Sequence, residues 1–278
     1  MVGQTASGKS KLAMQIAKQF QGEIICADSR TVYRGMDIGT AKPSVEDQAA
    51  IPHHLIDITT PDKPTTVVDF KRLADQAITN ILVRQKLPIL VGGTGLYIDA
   101  VIYDFQFRQA SDPETRRELS AMSVETLQHM LKEQGINLPV NSRNPRHLIR
   151  ALETGGEDAK RRPLRPNTLV FGLSVDKPVL EASIRARTET MFGSGLEDEV
   201  KQLVATYGWI PPLQTIGYQE FKPYFSGSQN LSETQELIIH NTLAYAKRQK
   251  TWFKRNNSIH WASKQIEIVE LITTHLNK

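Results

Sequence analysis

Gly3-Gln4-Thr5-Ala6-Ser7-Gly8-Lys9-Ser10 satisfies the spacing G-x-x-x-x-G-K-[ST], and its place just before a helical pattern sets the fold. The glycines let the backbone curl so that successive N–H groups turn inward around an anion. The helix behind adds its positive end, Lys9 a full charge, and Ser10 a hydroxyl placed to hold Mg²⁺. The loop therefore points to a diphosphate or triphosphate ligand. Lys9 to Phe20 carries Leu12, Ile16 and Phe20 on one apolar stripe, as a packed helix requires, and Gly22 stands where that helix is expected to stop. Such a loop normally follows a buried strand of ~5 residues. Only Met1-Val2 precede Gly3, so the sequence is expected to begin inside its first strand.

Outward from the loop, short apolar runs alternate with helical patterns. Glu23-Ile-Ile-Cys-Ala-Asp28 reads as a buried strand, Asp69 to Gln85 as an amphipathic helix, and Leu87-Pro-Ile-Leu-Val91 as the next strand, broken by Gly92-Gly93. This alternation predicts an α/β fold: a P-loop NTPase-like parallel sheet flanked by helices. Residues 112–163 are polar and helical in pattern, so they are expected to form an inserted helical subdomain between core segments 1–111 and 164–278. Thr168 to Val175 looks like a returning strand. Helical residues 178–207 follow, interrupted near Gly193-Ser-Gly195, and a long helix starts near Ser232, where Ser232-Glu-Thr-Gln235 fits a capping box.

The 278 residues are 40% hydrophobic and 23% charged, an ordinary globular composition. No apolar run approaches the ~20 residues of a membrane helix, and no secretory signal is legible. The single cysteine, Cys26, fits a reducing compartment, so a cytoplasmic location is expected. The net charge is only +4, with a pI of about 9.1, so the distribution of charge says more than its sum.

Asp28 closes the second strand, at the sheet end where open α/β folds bind ligands. A carboxylate there either takes a proton from a nucleophile or, with Ser29, caps the next turn. Gly92-Gly-Thr94-Gly95 ends a strand on the same edge, with glycines that admit close backbone approach and a hydroxyl on Thr94. The strand at 88–91 ends without the Mg²⁺-holding carboxylate of ATP-hydrolysing P-loop proteins, and Asp176 is the sole late candidate. The simplest reading is a loop that holds a diphosphate as a leaving group. Lys247-Arg-Gln-Lys-Thr-Trp-Phe-Lys-Arg255 places five cations and two aromatics together with no acid. Arg143, Arg146, Arg150, Lys160, Arg161, Arg162 and Arg165 form a second basic cluster against Glu153, Glu157 and Asp158. Two such clusters beside a phosphate site suggest a polyanion, RNA above all. His53-His54 would point to opposite faces of an extended segment, which suits structural or substrate contacts better than a metal.

These motifs, with Asp28-Ser-Arg-Thr-Val-Tyr33, Gly35-Met-Asp-Ile-Gly-Thr-Ala-Lys42, Pro52-His-His-Leu-Ile-Asp57, Arg150-Ala-Leu-Glu153 and Ile216-Gly-Tyr218, resemble the tRNA dimethylallyltransferase (tRNA isopentenyltransferase) family in order over nearly the whole chain. The resemblance implies transfer of the dimethylallyl group from dimethylallyl diphosphate to N6 of the adenosine just 3′ of the anticodon. The acceptors would be tRNAs reading codons that begin with U, recognised at the anticodon stem-loop, with Mg²⁺ required. It implies that Gly3, Gln4, Thr5, Ala6, Ser7, Gly8, Lys9 and Ser10 hold the diphosphate and that Asp28 is the general base. Thr94 and Arg116 would lie near the reacting groups. It further implies tRNA contacts at Asp28, Ser29, Arg30, Thr31, Thr94 and Arg116, and at Pro145, Arg146, His147, Leu148 and Ile149. The remaining contacts would be Gln214, Thr215, Ile216, Gly217, Tyr218 and Gln219, then Lys247, Arg248, Gln249, Lys250, Thr251, Trp252, Phe253 and Lys254. In that family a channel between core and insert takes the base from one side and the prenyl diphosphate from the other. The chain departs from the pattern at Gln4 (usually Pro), Thr31 (usually Gln), His147 (usually Arg) and Ser183 (often Arg, with Arg187 nearby). A monomer is expected. Two rival readings remain open: a kinase using the loop for ATP, and a non-enzymatic RNA-binding protein whose loop senses a nucleotide.

Overall fold

Leu12, Ala13, Ile16 and Ala17 recur at the helical period and form the buried face of α1 (Lys9–Gln19). Gly22 does not terminate this helix, which ends at Phe20. It is the first residue of β1 (Gly22–Ala27), where a β-carbon would press to 2.7 Å on Ile89. The computed structural model describes residues 1–107, 112–157, 159–263 and 265–277. The expected boundary at residue 111, and Asp158 of the basic cluster, lie outside the described residues.

After β1 come α2 (Val45–Ala50), β2 (His53–His54), α3 (Val67–Val83), β3 (Leu87–Gly92) and α4 (Gly95–Ile102). Helix α3 starts before the expected Asp69 because Thr66 and Asp69 cap each other's backbone reciprocally. Next are α5 (Pro113–Ala121), α6 (Val124–Glu133), α7 (Pro145–Thr154), β4 (Val170–Leu173), α8 (Lys177–Gly193) and α9 (Leu196–Tyr207). A 3-10 turn at Pro211–Leu213 leads to α10 (Phe221–Phe225), α11 (Leu231–Phe253), β5 (Ile259–Ala262) and α12 (Gln265–Leu276). The capping box of α11 is formed by Asn230 and Glu233, not by Ser232 and Gln235. Asn230 keeps extended backbone and receives the Glu233 N–H at 2.9 Å, while Ser232 is already helical.

Strands β2, β1 and β3 pair in parallel in that order, and β4 pairs in parallel with β5. Val2 sits in parallel register between Gly92 and Gly172, donating to the Phe171 carbonyl at 2.9 Å, and so ties the two groups into one sheet. Every residue of β1 is buried, as expected of a strand inside a parallel sheet covered by helices. Ile16 of α1, Ile24 and Cys26 of β1, Val91 of β3, Phe171 of β4 and Ile268 of α12 share one apolar cluster. The fold class is thus α/β, a parallel sheet flanked by helices.

By its contacts the chain forms two compact units, one of Met1–Ile102 with Leu164–Lys278 and the other of Tyr103–Pro163. The second holds α5, α6 and α7 around Leu119, Leu127, Leu131, Leu148 and Ile149, with Arg161 stacked 3.5 Å over the Tyr103 ring. Among the described residues no helix is long and apolar enough to cross a membrane.

Candidate active site

The phosphate loop takes its shape from residues in the left-handed region. Ala6 has φ 58°, and Gly8, capping α1, has φ 83°, so amides turn toward a common centre. Lys9 Nζ donates to the Gln4 carbonyl at 2.8 Å. Burial, helped by the neighbouring Arg187, pushes its ammonium down to about 8, with Asp28 pulling the other way. Arg187, from α8, is half-buried. It donates to Thr5 Oγ1 at 2.8 Å, and desolvation lowers its pKa against the opposing pull of Asp28. These two half-buried cations beside the loop suit a multiply charged phosphate.

Asp28 stands one residue beyond β1. Its Oδ1 accepts the Arg30 N–H at 2.8 Å, so the carboxylate caps the turn with one oxygen and still faces the cavities described below. Thr94 Oγ1 accepts the Ser29 N–H at 3.3 Å, holding that turn against the loop after β3. The loop must be glycine here: a β-carbon on Gly92 would sit 2.0 Å from the Ala27 carbonyl oxygen, and one on Gly93 2.1 Å from Gln249 Nε2. Tyr245, on α11, lines the smaller cavity, and burial raises its pKa.

Two cavities open in the first unit. One, of about 580 Å³, is walled by residues 5–11, the apolar side chains of Met14, Ile24 and Val91, and His53. The other, of about 350 Å³, is walled by Ser29, Arg30, Gln214, Thr215, Ile216, Gly217, Gln219 and Arg248. Thr5, Asp28, Thr40 and Arg187 line both. The larger cavity therefore offers phosphate-binding groups beside an apolar wall, and the smaller offers mainly polar groups, with the Asp28 carboxylate where they share a wall.

The structure lines the two cavities with residues 5–10, 28–31, 214–217, 219 and 248, about half of those expected at the site, and Thr94 lines neither. Gly3 and Gln4 are buried and line neither cavity; Gln4 Nε2 donates to the Ala246 carbonyl at 3.0 Å. Thr31 lies on the larger cavity, not among the walls of the smaller one, and its buried hydroxyl has no partner. Leu148, Ile149, Tyr218, Gln249 and Phe253 are buried, so their side chains serve the interior instead of offering a surface to RNA. Gln249 in particular is a strut: it receives the Thr5 N–H at 2.7 Å and donates to the Gly93 carbonyl at 3.0 Å, joining the two glycine loops. Trp252 donates to Asp99 at 2.9 Å while remaining partly exposed. Pro145, Arg146, His147, Lys247, Arg248, Lys250, Thr251 and Lys254 are exposed. Arg116 belongs to the second unit, where it pairs with Glu153 at 2.8 Å.

His54 pairs with buried Glu23 at 2.7 Å, alongside Arg84, and His53 hydrogen-bonds the Ile51 carbonyl. Among the described residues no cluster of three His, Cys, Asp or Glu can hold a metal ion, and Asp176 lines neither cavity. Tyr245 carried no sequence signal, since nothing in a lone tyrosine announces a cavity wall, and Thr40 carried only its place in the Gly35–Lys42 motif.

The profile of the IPP transferase family matches residues 31–256. The tRNA dimethylallyltransferase of Roseiflexus sp. is 42% identical over an alignment of 273 positions that covers 92% of this chain and 89% of the relative. That of Moorella thermoacetica is 40% identical over 284 aligned positions, covering 94% and 88%. The full-length tRNA isopentenylpyrophosphate transferase of Bacillus halodurans, a crystal structure, superposes with a TM-score of 0.77 at 38% identity, covering 99% of this chain and 95% of that one.

Proposed function

This chain belongs to the IPP transferase family, and from that premise we propose that it moves the dimethylallyl group of dimethylallyl diphosphate to N6 of the adenosine 3′-adjacent to the anticodon in tRNA. The observation that carries the reading is the pair of cavities sharing Asp28, Thr5, Thr40 and Arg187 as a common wall. The larger cavity takes the diphosphate on its loop and the hydrocarbon on its apolar side. The smaller takes the flipped-out base, whose unstacking costs a few kcal/mol that phosphate contacts help offset.

In the reaction N6 attacks the allylic carbon, a C–N bond forms, and the C–O bond to the diphosphate breaks. The N6 proton passes to the Asp28 carboxylate, and the departing charge is met by the loop amides, Lys9 and Arg187. Thr94 holds the turn that aims Asp28. Arg116, by family likeness, has a role in catalysis. Exposed Arg146, His147, Lys247, Arg248, Lys250 and Lys254 supply tRNA contacts. Ser10, on the larger cavity, would hold a Mg²⁺ ion through its hydroxyl. When bound, the ion neutralises diphosphate charge. We place the protein in the cytoplasm, acting as a monomer.

The test is to incubate the protein with unmodified tRNA and dimethylallyl diphosphate and weigh the released nucleosides. N6-dimethylallyladenosine is expected, with Asp28→Asn slower by roughly 10²–10⁴-fold while tRNA binding persists. A wild-type protein that yields no such nucleoside overturns the activity. An Asp28→Asn variant of full rate overturns the assignment of the base.

A further inference from the structure

Glu199 lies in the first turns of α9, on neither cavity, yet it reaches across the fold. One carboxylate oxygen accepts the N–H groups of Asp37 at 3.0 Å and Ile38 at 2.7 Å. The other accepts the Gly39 N–H at 3.0 Å and the Tyr218 hydroxyl at 2.7 Å. Three consecutive amides converge on it as they would on a bound anion, but here the anion belongs to the chain itself. Tyr218 is fully buried with its ring against Gly39, where any β-carbon would come within 2.6 Å. Burial and the adjacent carboxylate keep its phenol protonated and donating.

The two segments so joined are walls of the site. Gly39 and Thr40 line the smaller cavity together with Thr215, Ile216 and Gly217, and Thr40 also lines the larger one. Closure of α9 does not require Glu199, since Glu197 and Asp198 already place acids in its first turn.

We propose that Glu199 is a positioning residue for the transfer: its carboxylate clamps residues 37–39 and, through Tyr218, residues 215–219, keeping the shape of the smaller cavity's wall and the place of Thr40 where the two cavities meet. The inference rests on the two-cavity reading above. A wall displaced by about 1 Å can cost on the order of 100-fold in rate.

The experiment compares Glu199→Gln and Tyr218→Phe with wild type well below their melting temperatures. It reads kcat, both KM values, inorganic pyrophosphate affinity, and hydrogen exchange at the Ile38 and Gly39 amides. Glu199→Gln is expected to lower kcat by roughly 10–100-fold and to speed exchange at those amides. Pyrophosphate affinity should stay within about twofold, because the phosphate loop does not touch the clamp. Tyr218→Phe, which removes one bond of four, is expected to show a smaller change in the same direction and decides the matter should Glu199→Gln fail to fold. Kinetic constants like those of wild type, with only a lower melting temperature, would overturn the proposal. Should wild type itself form no product, the proposed activity fails, and the clamp is still judged by the exchange rates.

Discussion

Gln249→Leu separates two roles for one residue. Family likeness puts Gln249 in a tRNA-contacting segment, whereas the structure buries it to 5% exposure with both ends of its amide engaged, on Thr5 N–H at 2.7 Å and Gly93 carbonyl at 3.0 Å. Leucine nearly preserves the volume but abandons both backbone groups. An unsatisfied buried polar group costs about 1–3 kcal/mol. Gly93 is buried and Thr5 half-buried, but both border the larger cavity, where water can replace part of the lost bonding. The expected loss is therefore about 1–3 kcal/mol, read as a lower urea midpoint at unchanged slope. Because the strut fixes Thr5, pyrophosphate affinity by calorimetry should fall as well. Lys250→Ala, on the exposed side of the same helix, serves as control: it should leave stability within about 0.5 kcal/mol and weaken only salt-sensitive tRNA binding. A Gln249→Leu protein of wild-type stability and pyrophosphate affinity that has lost tRNA binding would refute the strut and restore the RNA contact.

Two further expectations follow from burial. Lys9 titrates near 8 in the free protein because desolvation disfavours its ammonium, and a bound anion favours the charged form again. Pyrophosphate binding should therefore take up a proton above pH 8 and weaken by up to about tenfold per pH unit relative to Lys9→Met. Calorimetry in buffers of different ionisation heat checks this, and identical proton uptake in the two proteins would contradict it. The Cys26 thiol, pushed up to about 12 by burial with Asp28 adding to the effect, should resist thiol-specific reagents at pH 8 in the folded protein and react only on denaturation. Rapid labelling of the native chain would contradict that.

The phosphate loop, α1, the buried strand β1 and the break of helix between α8 and α9 were legible because each is written locally. Spacing of glycine and lysine, a 3.6-residue apolar stripe and a Gly-Ser-Gly stop need no distant partner to be read. Strand β5 was not, since Ile259-His-Trp-Ala262 is a strand only by pairing with β4, and the cap of α11 shifted to Asn230 because backbone conformation selected it over Ser232.

Chain order alone thus determined a glycine-rich phosphate-type loop ahead of α1 and the placing of Asp28 and Thr94 just beyond two strands on the same sheet edge. Tertiary structure decided what each side chain does there: that Gln249 braces two loops, that Arg187 from a helix far along the chain meets Thr5, and that Thr40 stands where two cavities join. The physical reason is range. Periodicity and loop geometry are set by neighbours in sequence, whereas burial, desolvation and hydrogen bonding between residues more than a hundred positions apart exist only once the chain has folded.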